Sequence, residues 1–111
     1  MQRHGLCCRT ENLIREYIEA NLSRDITLSE LAELAGLSRF HFARAFKRST
    51  GLPPHKYLLR QRIERAKELL ALGRLPVSEI ATLVGFAGAA PLGRTFRRLT
   101  GMPLREFGRR D

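Results

Sequence analysis

The sequence has no tryptophan and only two cysteines, and these two, Cys7 and Cys8, are neighbours. Adjacent cysteines bridge each other only under strain. With His4 alone beside them they also fall short of the three or four ligands of a zinc site. The expectation is a flexible leader over residues 1–9 with incidental thiols and no metal. No apolar run approaches the roughly 20 residues of a membrane-spanning helix. The opening MQRHGLCC also lacks the apolar stretch of a signal peptide, so the cytoplasm is the expected compartment. Nowhere is there a nucleophile–base pair, a metal-ligand cluster or a phosphate-binding glycine loop, and His4, His41 and His55 are scattered. Neither an enzyme nor a cofactor is expected.

Acidic residues are scarce where basic ones crowd. The formal net charge is +9 over 111 residues, but residues 1–35 carry −2. Residues 36–67 carry +8, with Glu64 the only acid among Arg39, Arg44, Lys47, Arg48, Lys56, Arg60, Arg62, Arg65 and Lys67. The stretch from Arg94 to Asp111 adds +4. A solvated face usually mixes signs. Two basic blocks inside a folded domain point to a polyanion, with nucleic acid ahead of acidic membranes or proteins.

No segment reads as a strand, and the apolar residues recur at helical spacing throughout. Leu13, Ile14, Tyr17 and Ile18 mark one face of a helix from about Thr10 to Leu22. Thr27-Leu28-Ser29-Glu30 has the capping-box spacing and opens a second helix that stops at Gly36. Ser38 caps a third helix, with Phe42 and Phe46 inward, that closes at Gly51. Pro53 and Pro54 open a long helix to about Leu72, with Tyr57, Ile63, Ala66, Leu69 and Leu70 as core candidates. Shorter helices are expected near 77–84, 89–99 and 103–109, making an all-α fold of seven helices.

The chain repeats itself. ITLSELAELAGLS at 26–38 returns as LPVSEIATLVGFA at 75–87, an offset of 49. FKRSTGLP at 46–53 returns as FRRLTGMP at 96–103, an offset of 50. Two similar subdomains joined by the long helix explain this better than a solenoid. Each copy meets the demands of a helix-turn-helix. Ala32 and Ala81 let two helices approach closely. Gly36 and Gly85 suit a turn with positive φ. Leu37 and Phe86 plug the corner, and the apolar pairs Phe42/Phe46 and Leu92/Phe96 anchor the helix that follows.

On these landmarks the sequence resembles the DNA-binding domain of the AraC/XylS family of bacterial transcription regulators. LAELAGLS, FHFARAFKRSTGLPPHKYLLRQRIERAKELL, SEIATLVGF and RTFRRLTGMPLREF carry the resemblance, which covers roughly residues 9–109. It implies a seven-helix domain over 10–111, a homeodomain-like helix-turn-helix pair. The first unit is expected over about 10–52, the linker helix over 54–72 and the second unit over 76–109. It also implies an activator that binds double-stranded promoter DNA and contacts RNA polymerase. The segment by itself is expected to be a monomer, dimeric only if a sensing domain precedes it.

The resemblance places base readers at Arg39, Phe40, Ala43 and Arg44 in the first unit and at Ala89, Ala90 and Arg94 in the second. Arg44 leads, because a guanidinium bonds guanine O6 and N7 bidentately. Phe40 suits a thymine methyl, with partial burial beside Phe42 as the alternative. Ser38, His41, Lys47, Arg48, Arg97 and Arg98 are the expected phosphate contacts. The second unit departs from the pattern: Pro76 stands for the capping Thr27 and Ala87 for Ser38, and Gly88 to Pro91 carry no polar side chain. Its reading helix is therefore expected to begin late, near Ala90 or Pro91. A linker of about 18 helical residues spans roughly 27 Å, against about 34 Å between successive major grooves on one face of DNA. Either the DNA bends or one unit follows the backbone. A protein-interaction or architectural module with weak, mainly non-specific DNA binding is the alternative function.

Overall fold

A computed structural model describes residues 5–108, and His4 lies outside them. Among the described residues there are seven helices and no strand: α1 Cys8–Ala20, α2 Leu28–Ala35, α3 Arg39–Thr50, α4 Pro54–Leu72, α5 Val77–Leu83, α6 Ala89–Thr100 and α7 Leu104–Gly108. The chain divides into two compact units, residues 1–59 and 60–111. The long helix expected over 54–72 is α4, and the division falls within it. The first turns of α4 give Tyr57 and Leu58 to the core of unit 1, and its later turns give Ile63, Ala66 and Leu70 to that of unit 2.

In unit 1 the core gathers Ile14 and Ile18 of α1, Leu31 and Ala32 of α2, and Phe42, Ala45 and Phe46 of α3. Phe46 sits between two rings, 5.4 Å from Phe42 and 5.1 Å edge-on from Tyr57. Two expectations for this unit are corrected. Leu13 stays 45% exposed, because it lies off the Ile14–Ile18 stripe. The leader is shorter than residues 1–9: α1 starts at Cys8, and Leu6 is only 5% exposed, with its amide donating to Ser49 Oγ at 2.7 Å. An apolar side chain with a satisfied amide is drawn onto the core even this close to the terminus.

Unit 2 repeats the plan with Ile80 and Ala81 of α5 and Leu92 and Phe96 of α6, and Phe107 of α7 edge-on to Phe96 at 5.6 Å. The two helix-turn-helix corners share one bonding scheme. Gly36 (φ 73°) donates to Glu33 O and Leu37 to Ala32 O, while Gly85 (φ 93°) donates to Thr82 O and Phe86 to Ala81 O. This is the Schellman closure, and its left-handed position favours glycine. Ala32 and Ala81, both buried, leave room for the next helix to cross. The repeated Thr-Gly has a similar cause. Thr50 Oγ1 donates to Phe46 O and accepts from Leu52 N–H, and Thr100 does the same with Phe96 O and Met102 N–H.

The one-residue slip in the repeat is Ala87. The corners match at an offset of 49, whereas α3 and α6, each of 12 residues, match at 50. Gly88, not Ala87, therefore takes the capping place of Ser38. Helix α6 begins at Ala89, one residue before the expected late start. Pro91 is its third helical residue, where an amide has no partner within the helix in any case.

Candidate nucleic-acid interface

Ser38 fixes the start of α3, its Oγ accepting from His41 N–H at 3.1 Å. From that cap Arg39, Phe40, Ala43, Arg44 and Lys47 follow at helical spacing on the face turned away from Phe42 and Phe46. Arg39, Phe40, Arg44, His41, Lys47 and Arg48 are exposed, and Ala43 is half-buried. Phe40 is 73% exposed, so it does not join Phe42 in the core, and the Arg44 guanidinium lies over its ring at 5.6 Å from the centroid. Helix α3 contains no acidic residue, and the face is cationic along its length. Lys47 and Arg48 occupy the last turn, where a positive charge also favours the helix dipole.

In α6 the same positions, 50 residues on, hold Ala89, Ala90, Gly93, Arg94 and Arg97. Ala89, Ala90, Arg94, Arg97 and Arg98 are exposed. Arg94 matches Arg44, and Arg97 and Arg98 match Lys47 and Arg48. The small residues leave an open groove of about 470 Å³ bordered also by Pro103, Leu104 and Arg105. Gly93 and Arg105 were not singled out from the sequence. The 50-residue offset would have found Gly93 as the partner of Ala43. Arg105 had no such signal, since its place beside α6 depends on how α7 folds back.

A charged cluster away from the two reading faces is structural. Glu30 accepts from Arg24 and from the hydroxyl of Tyr17, and it completes the capping box of α2 by accepting from Thr27 N–H at 3.1 Å. The Arg24 guanidinium, then Tyr17 and the Thr27 amide, bring the Glu30 carboxyl from its usual 4.5 down to about 2. Glu30 in turn pushes the Tyr17 hydroxyl up.

Among the described residues no group of three or more His, Cys, Asp or Glu is placed to hold a metal, and no helix is long and apolar enough to cross a membrane. The pattern of the helix-turn-helix domain family matches residues 31–110. The probable transcriptional regulator LumQ of Photobacterium leiognathi is 41% identical over 90 residues, which are 81% of this chain and 36% of LumQ. The chain thus spans about a third of that relative's length. A transcriptional regulator of Chromobacterium violaceum described as AraC-type superposes with a TM-score of 0.83 at 27% identity, over 90% of this chain and 89% of its own. The DNA-binding domain of AdpA, solved with a target DNA, does so at 0.83 and 28% identity, over 89% of each chain. By the family match over residues 31–110 and these superpositions, this chain belongs to the AraC-type helix-turn-helix DNA-binding domains.

Proposed function

We propose that the chain is the DNA-binding part of a cytoplasmic transcription activator that reads promoter DNA through two adjacent major-groove segments, with unit 1 dominant. The observation that carries this is the contrast between the two reading faces. One presents Arg39, Phe40 and Arg44 on a side-chain-capped helix, and the other presents Arg94 behind Ala89, Ala90 and Gly93. Side chains that hydrogen-bond base edges discriminate bases, whereas alanine and glycine offer at most a methyl or close backbone approach. Ser38, His41, Lys47, Arg48, Arg97 and Arg98 serve the phosphates on this reading. The AdpA domain with its target DNA is a precedent for the same fold on duplex DNA.

Selection of binding sites from randomised DNA tests it. The expected result is a site whose sequence information concentrates in one half, and two equally strong halves would overturn the asymmetry. Contact with RNA polymerase belongs to the same proposal. Promoter fusions that rise with the intact chain, and not with an Arg44→Ala chain, would support activation. The small-residue face of α6 favours one rival, an architectural module with mainly non-specific binding. Gel shifts in which specific and random fragments compete equally would establish that rival.

A further inference from the structure

We infer that Phe40 is a positioning residue for Arg44, and that the pair, rather than Arg44 alone, sets the base specificity of unit 1. The inference rests on the base-reading role proposed above. Phe40 is the most exposed of the large apolar side chains among the described residues, and it stands one helical turn before Arg44 on the reading face. An exposed phenyl ring contributes nothing to the core of unit 1. What it does touch is the Arg44 guanidinium, 5.6 Å from the ring centroid. The ion pairs among the described residues join Arg15 to Glu11, Arg24 to Glu30, Arg65 to Glu68 and Lys67 to Glu64, so no carboxylate competes for Arg44.

The physical consequence follows from the shape of the two groups. The negative face of an aromatic ring attracts a guanidinium. A guanidinium drawn to a ring in this way keeps the N–H donors that point away from the ring free to bond. Such donors are what guanine O6 and N7 accept from. An arginine on an exposed helix otherwise samples many rotamers and loses that freedom on binding. The ring narrows the search beforehand. Unit 2 supplies an internal comparison: Arg94 occupies the position of Arg44, but Ala90 stands where Phe40 would be, so Arg94 has no such shelf.

The test uses the intact chain and the DNA site that the wild type selects. Affinities are measured for that site and for a version with the guanine read by Arg44 changed to adenine. Phe40→Leu, which keeps an apolar side chain but removes the ring, should lower the guanine-over-adenine preference about two- to fivefold. Preferences at base pairs that neither Arg44 nor Phe40 faces should hold. Phe40→Trp should retain the preference, and Phe40→Leu should have no further effect on it in an Arg44→Ala chain. Ala90→Phe should create or sharpen a preference in the other half of the site. Thermal melts identify any variant that is merely misfolded, and this exposed position predicts none. A guanine preference that requires Arg44 but is unchanged in Phe40→Leu overturns the inference while base reading stands. A preference that survives Arg44→Ala overturns base reading by Arg44, and the inference with it.

Discussion

Ser38 Oγ accepts the amide of His41 at 3.1 Å, and 50 residues on both partners are missing, because Gly88 has no side-chain oxygen and Pro91 has no amide. The cap acceptor and its donor have been lost together. Helix α6 consequently starts in register with α3 without leaving an unbonded amide at that position. Ser38→Ala should therefore cost about 1 kcal/mol of stability, whereas Gly88→Ser should change it by only a few tenths. A double change of Gly88→Ser with Pro91→His should recover the missing coupling in a double-mutant cycle. Urea unfolding of the set checks this, and a full gain from Gly88→Ser alone would contradict it.

The clasp on Glu30 makes unit 1 sensitive to acid. Its carboxyl is held at about 2 in the fold against an ordinary 4.5, so the folded state binds this proton less readily than the unfolded chain. The stabilisation is complete above about 4.5 and is lost as the pH falls towards 2. Glu30→Gln should flatten that part of the stability–pH curve and leave the shape near neutrality unchanged. Melting temperatures between these two pH values provide the measurement, and a wild-type curve matching the Glu30→Gln curve would remove the clasp's role.

Leu6 lies within the stretch that reads as leader, yet it is buried. Leu6→Ala should destabilise the domain by about 2–3 kcal/mol, as expected for a core leucine. A truly flexible leader would show no change in the same denaturation experiment.

Arg44→Ala should cost about 1–3 kcal/mol of specific binding and relax the preference at one base pair. Arg94→Ala should change the selected sequence less. Equal loss on all sequences would make Arg44 a phosphate contact instead.

Lys47, Arg48, Arg97 and Arg98 end the two reading helices and are all exposed. Each phosphate contact removed should reduce the log–log salt slope of binding by about 0.9. A quadruple alanine chain with an unchanged slope would place the phosphate contacts elsewhere.

The helical periods, the capping pairs and the repeat were enough to place the helix boundaries to within two residues, with α1 displaced by two at each end. These features are local: a cap, a glycine at positive φ and an i, i+4 apolar pair act within one or two turns. The two cores were legible for the same reason, since Phe42/Phe46 and Leu92/Phe96 can face only one way once the helices exist. Lengths between such marks are also legible, which is why the internal repeat shows in the sequence itself.

Tertiary contacts decided the rest. Leu6 is drawn in because a core already stands beside it, and Leu13 is left out because no neighbouring helix covers it. The location of the slip depended on the corner and α6 keeping separate registers, which alignment by residue type assigned to the wrong capping position. The exposure of Phe40 likewise depended on which face of α3 is covered, and its contact with Arg44, one turn on in the same helix, is local. From the sequence Phe40 reads as a base-facing ring with partial burial beside Phe42 as the alternative, and only the packed structure, which leaves it 73% exposed, decides between the two.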